Sequence, residues 1–192
     1  MVTSVLTMTD TAPGLKPSTL TLAPMRLAHI AAIFNLIQDG SAAGHFTPVY
    51  TLPHYMAGLA MQLFSLLLRK RITLPDGSVH RARTRVLLDG GRFAGFIILL
   101  DGEASVHVYM CAVRAALRGK GHGRWMLTQA IAAVPAGHVV VADCLPASLA
   151  MMAVLRKCGF ARALGPVRGG ARRYVRLVAP PREQRAPAYR PA

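Results

Sequence analysis

Residue type and spacing point most directly to chemistry in the segment Cys111-Ala112-Val113-Arg114-Ala115-Ala116-Leu117-Arg118-Gly119-Lys120-Gly121-His122-Gly123-Arg124. A β-like apolar run enters it, three glycines alternate with Lys120 and His122, and a helical pattern leaves it. Glycine lets the backbone approach a ligand closely. A helix N-terminus presents free N–H groups and the positive end of its dipole. Together these read as a cradle for a pyrophosphate. The segment is not a P-loop, because no Lys-Ser/Thr pair follows the last glycine. It is not the dinucleotide fingerprint either, since the glycines are spaced GxGxG and the strands before it form a meander. Arg118, Lys120 and Arg124 can add charge at the phosphates, and His122 is assigned to the cradle through its backbone N–H.

Groups able to move protons lie on the strand that enters this loop. Strict alternation over Ala104–Val113 puts Ser105, His107, Tyr109 and Cys111 on one face. Histidine titrates near neutral pH and is a competent base. Tyr109 is a candidate acid or substrate contact, and Tyr174 a weaker one. His29, His45, His54, His80 and His138 show no ligand spacing and are expected to pack or be solvated. Cys144 and Cys158 are expected as small buried residues. No Ser-His-Asp set, paired carboxylates or metal-ligand spacing emerges.

The surrounding pattern supplies the elements that position these groups. Ser18–Leu22 alternates as a short strand. Leu27, Ile30, Phe34 and Ile37 recur at helical spacing, with Gly40 as the expected stop. Pro53 opens a second helix with a core stripe of Met56, Leu59, Leu63, Leu66 and Leu67, and Arg69-Lys70-Arg71 suits its C-terminus. Val79–Leu88, Arg92–Leu100 and Ala104–Val113 are strands joined by the tight turns Asp89-Gly90-Gly91 and Asp101-Gly102, an antiparallel meander. After the glycine loop, Met126, Leu127, Ala130, Ile131 and Val134 mark a helix. His138–Ala142 then reads as a strand, Pro146–Cys158 as a helix closed by Gly159, and Ala171–Val178 as a last strand.

This arrangement resembles the GNAT superfamily of acyl-CoA-dependent N-acyltransferases. The family's Arg/Gln-x-x-Gly-x-Gly/Ala hallmark stands here as Arg118-Gly119-Lys120-Gly121-His122-Gly123, five residues after Val113. Its later strand and helix ending in Gly-Phe stand as Val139–Val141 and Lys157-Cys158-Gly159-Phe160. The resemblance implies an α/β (α+β) fold, a mixed, mostly antiparallel central sheet flanked by helices. It also implies acetyl-CoA as the donor and a small-molecule or protein amine as the acceptor. Carried over residue by residue, the cofactor set is Cys111, Ala112, Val113, Arg118, Gly119, Lys120, Gly121, His122, Gly123, Arg124 and Ser148, with His107 and Tyr109 as catalytic candidates. Some members place a Glu base where His107 stands. Two positions depart from the family. Ser148 replaces an Asn that contacts the cofactor, and Leu155 replaces the Tyr that protonates the departing thiolate.

Composition narrows the remaining classes. The 192 residues carry 23 Lys+Arg against 8 Asp+Glu, a net charge of +15, and 53% are hydrophobic, which excludes a disordered chain. Apolar runs such as Phe93–Leu100 fall far short of the ~20 residues of a spanning helix, and Met1–Thr11 has no signal-peptide pattern. Three scattered cysteines without CxxC argue against a disulfide framework or zinc, so a soluble protein of a reducing cytoplasm is the natural reading. Basic side chains concentrate in residues 69–85 and 156–192, a field that attracts an acidic partner or tRNA. Homodimerisation stays open. The expected organisation is a flexible leader at 1–17, a GNAT-like domain at 18–178 and a Pro/Arg-rich disordered tail at 179–192. The rival functions are a non-catalytic acyl-CoA-binding module and a tRNA-directed acetyltransferase.

Overall fold

The computed structural model describes residues 19–165, 167 and 170–179. The leader expected at 1–17 and the tail from 180 onward lie outside the described residues. Eight strands form one sheet: β1 (Leu20–Pro24), β2 (Arg71–Thr73), β3 (Val79–Asp89), β4 (Arg92–Asp101), β5 (Ser105–Val113), β6 (Val139–Cys144), β7 (Ala161–Arg162) and β8 (Arg172–Leu177). Their spatial order is β1-β3-β4-β5-β6-β8-β7, with β2 also paired to β3. Every pairing is antiparallel except β5 with β6. A parallel pair needs a crossover, and helix α3 (His122–Ala132) supplies it. The mixed, mostly antiparallel sheet with flanking helices is the architecture expected from the sequence.

Helices α1 (Ile30–Ala42) and α2 (Pro53–Leu68) cover one face of the sheet; α3 and α4 (Leu149–Lys157) cover the other. On the first face Ile33, Ile37, Leu59, Leu63 and Leu66 pack with Val86, Phe96, Ile98 and Leu100. On the second, Met126, Leu127, Met152 and Leu155 pack with Ile97, Leu99, Val106, Val108 and Val140. β4 feeds both cores, which is why Ala94–Leu100 is buried almost throughout and reads as a continuous apolar run. α2 is apolar on both sides. Leu59, Leu63 and Leu66 face the core, while Met61 and Leu68 are exposed. Among the described residues no helix is long and apolar enough to cross a membrane.

Several expectations need correction. α1 does not stop at Gly40 but continues to Ala42. Gly40 serves close packing instead: a Cβ there would lie 2.6 Å from the Phe46 ring. The basic run after α2 is only partly a helix end, because Arg71 begins β2, where it stands directly opposite Arg81. β5 is not a strictly alternating strand. Ile98 pairs with Met110 and Leu99 with Val108, so Tyr109 is an extra, bulged residue. Tyr109 and Met110 therefore both pack toward the α1/α2 face, and Cys111 turns toward the α3/α4 face. Of the face expected for Ser105, His107, Tyr109 and Cys111, only Cys111 departs: His107, opposite Leu100 of the α1/α2 core, stays on the side of Tyr109.

Gly95 shows how closely β4 and β5 approach beside the glycine loop. A Cβ at this position would meet the Ala112 carbonyl oxygen at 2.4 Å. Gly95→Ala is expected to destabilise the protein by about 1–3 kcal/mol through overpacking against backbone. Urea unfolding of the two proteins measures it, and an unchanged midpoint would refute the packing assignment.

Candidate functional site

The site begins where two strands part. β5 and β6 pair in parallel from Ser105↔Val139 to Val108↔Ala142 and no further. β8 continues to hold β6 as far as Cys144↔Arg172, and β4 holds β5 as far as Gly95↔Val113. Pulled to opposite sides, the two strands leave a wedge, and a cavity of about 560 Å³ occupies it. The bulge at Tyr109 falls at the apex, where it locally disrupts the β4–β5 ladder.

The glycine loop forms one wall of this cavity. After Val113 the chain makes a short 3-10 turn at Ala115–Leu117, and the Arg118 side chain donates from Nε to the Val113 carbonyl at 3.2 Å. Gly119 and Gly121 have φ of +79° and +84°, left-handed values that favour glycine, and open space lies where their Cβ atoms would be. Gly121 caps α3 without a side-chain hydrogen bond, and the first turn holds no acidic residue. Backbone N–H groups at that end are thus left for a ligand, beside the cations Arg118, Lys120 and Arg124. This set fits a pyrophosphate. Among the expected cofactor residues, Cys111, Ala112, Val113, Arg118, Gly119, Gly121, His122, Gly123, Arg124 and Ser148 lie on the cavity wall, and Lys120 does not.

His122 does more than lend a backbone N–H. Its side chain, only 6% exposed, turns beneath the loop, and Nε2 lies 3.0 Å from Asp89 Oδ2 in the β3–β4 turn. The glycine loop is thereby tied to the β3–β4 hairpin at the same end of the sheet.

At the other end of the cavity the wall includes Tyr109, Asp143, His45, Phe46 and Ser148. Asp143 accepts two hydrogen bonds from Arg173, both at 2.8 Å. These hold its carboxyl below the usual carboxylate range, with nearby His107 adding to the effect and burial opposing it. His107 is not on the cavity wall. It stands behind Asp143, with Nε2 3.7 Å from Oδ2. Burial lowers the pKa of His107 against the pull of Asp143, which favours the neutral ring. Tyr50 lies against the same core as Tyr109, and burial, then the neighbouring Tyr109, pushes its phenol upward. Tyr174, weighed as a stand-in acid, is 3% exposed and belongs to the α3/α4 core. Leu155 is fully buried there as well.

His45 was not distinguished by the sequence. Sequence spacing gives it no ligand partner, yet it lines the wedge, and its Nδ1 is buried without a hydrogen-bond partner. An unpaired buried polar atom costs about 1–3 kcal/mol. Ser148, at the start of α4, makes no helix-capping bond; its hydroxyl donates to the His45 carbonyl at 3.3 Å.

The Asp143–Arg173 pair gives a pH-dependent contribution with a defined sign. Asp143 has a depressed pKa in the folded state. Its contribution is therefore complete above the ordinary carboxylate range and is lost as pH falls through the depressed value. Arg173→Ala should lower stability by up to about 1 kcal/mol at neutral pH, and the difference should vanish in strong acid. Denaturant unfolding across pH checks this; a difference that persists undiminished in acid would contradict it. A second expectation concerns the loop tether. His122→Leu should speed amide exchange across residues 118–123 relative to β4, as read by hydrogen–deuterium exchange. Unchanged exchange would mean that the Asp89 contact does not restrain the loop.

Residues 41–160 match the model of the Acetyltransferase (GNAT) family. A comparison with curated proteins found no match. Among solved structures, an N-acetyltransferase from Staphylococcus aureus Mu50 superposes with a TM-score of 0.64 at 17% identity, covering 84% of this chain and 99% of its own. Spermidine N-acetyltransferase from Vibrio cholerae, in complex with CoA and spermine, gives 0.63 at 15% identity, over 83% and 95%. Phosphinothricin acetyltransferase from Sinorhizobium meliloti, in complex with acetyl-CoA, gives 0.61 at 20% identity, over 84% and 89%. Likeness at these identities shows the fold, and the family model covers more than half of the sequence. The chain belongs to the acetyltransferase (GNAT) family.

Proposed function

We propose that this protein transfers an acetyl group from acetyl-CoA to an amine by direct attack. The observation that carries the proposal is the opening of the β5–β6 ladder onto a glycine loop at the N-terminus of α3. Gly119, Gly121 and Gly123, with Arg118, Arg124 and the backbone of His122, would hold the pyrophosphate, and Lys120, off the wall, would add only its charge. Cys111, Ala112, Val113 and Ser148 would flank the rest of the molecule, which supplies the acetyl thioester.

The protein's own groups account for the acceptor side. Asp143 is the one carboxylate on the described cavity wall, and Arg173 keeps it ionised, so it attracts a cationic amine. Tyr109, at the bulge, is placed to hydrogen-bond acceptor or donor. His107 acts through Asp143 as a positioning residue.

Leu155 at the usual acid position does not abolish such a reaction. A general acid contributes ~10²–10⁴-fold, and a thiol with a reference pKa of ~8.5 departs without one more readily than an alcohol. Its burial does favour one rival, a module that binds acyl-CoA without turnover. Release of free thiol in the presence of amines separates the two.

Calorimetry with CoA tests the reading. Wild type should bind, and Gly121→Asp, which puts a strained side chain and a negative charge at the cradle, should weaken binding about ten-fold or more, ~1.4 kcal/mol. Thermal melts confirm that the variant is folded. No binding by wild type, or equal binding by a folded variant, would overturn the proposal.

A further inference from the structure

The turn that carries His45 is built with unusual care for a surface connection. The His45 N–H donates to the Gly40 carbonyl at 2.7 Å, and the Phe46 N–H reaches the same oxygen at 3.3 Å. A Cβ on Gly40 would meet the Phe46 ring at 2.6 Å, so the ring seats against the bare glycine. Gly44, at φ +73°, turns the chain back, and its Cβ position lies 3.4 Å from Ala147 Cβ. The Ser148 hydroxyl then bonds the His45 carbonyl, joining residues 103 apart in the sequence. Two glycines and a long-range hydrogen bond thus fix one histidine on the wall of the wedge, in a cavity that Tyr109 and Asp143 also line. The ring keeps Nδ1 buried and unpaired. His122 Nδ1 and Thr84 Oγ1 are unpaired as well, so what sets His45 apart is its place on the cavity wall with no side-chain partner among the described residues.

We propose that His45 is the proton acceptor for the attacking amine. The assignment rests on the acetyl-transfer reading and names a residue that the family resemblance does not. An ammonium must lose a proton before its nitrogen can attack. His45 takes that proton at Nε2, because Nδ1 is closed off, and passes it to solvent. The bond from nitrogen to carbonyl carbon forms and the carbon–sulfur bond of the thioester breaks. Of the two protons the ammonium gives up, one leaves through His45 and the other leaves with the thiol.

The other groups on the same wall are poorly suited to this role. Asp143 is held ionised by Arg173 and is a weak base. Burial pushes the thiols of Cys111 and Cys144 up to about 12 and about 11. His122 is committed to Asp89. Arg118, Arg124 and Lys157 on the wall are donors without an acceptor atom.

The test uses full-length protein labelled with ¹³C-histidine, with CoA as the probe. The His45 ring signal is assigned by its absence in His45→Gln, and it should shift on addition of CoA. His45→Gln should bind CoA within about two-fold of wild type. It should lower kcat/KM by ~10²-fold or more with the amine that gives the fastest thiol release. It should also lose the acid limb of the pH–rate profile. A His45 signal that CoA leaves unmoved while CoA binds overturns the assignment. So does a His45→Gln variant with full rate and an intact acid limb. A wild type that binds no CoA overturns the acetyl-transfer reading itself, and this assignment with it.

Discussion

The parting of β5 from β6 after Val108 and Ala142 is the constraint on which the rest of the site depends. Each strand is held on its outer side, β5 by β4 and β6 by β8, so the gap cannot close without unzipping one of those ladders. Parallel neighbours must also be linked by a crossover. The link leaves from the end of β5, so the glycine loop and the start of α3 arrive at the mouth of the gap. One feature of topology thus places a helix N-terminus, an opened sheet and a bulged strand around a single cavity.

The electrostatics follow the same geometry. The chain carries +15 overall, and the loop end of the cavity adds Arg118 and Arg124 to the open N-terminus of α3. Among the described residues, negative charge on the wall is confined to Asp143 at the opposite end. An anionic ligand and a cationic one are therefore drawn to different ends of one cavity. Arg173 holds Asp143 in its charged form, and burial disfavours a charge on His107 behind it.

Much of this was legible in the sequence, because the signals are local. The glycines of the loop, the apolar run of β4 and the two Asp-Gly turns each declare their element within a few residues. The features that were not legible depend on contacts between distant segments. The sequence from Ser105 to Val113 alternates without interruption, and only pairing with β4 reveals that Tyr109 is inserted. β2 is three residues long, with a single buried side chain, Ile72, too short to show a period. Gly40 looks like a helix stop until Phe46 is seen against it. His45 carries no local signal, since what fixes it is a hydroxyl more than a hundred residues away. His122 reads as a loop residue, and its side chain turns out to reach the β3–β4 turn.

Amide hydrogen–deuterium exchange of the full chain with and without CoA tests the central claim most directly, because it reports where a ligand sits. Bound CoA should slow exchange at 108–113, at 118–125 and at 143–148, the three segments that border the wedge, with β1 and β2 unchanged. Protection confined to other segments, or none at saturating CoA, would contradict it.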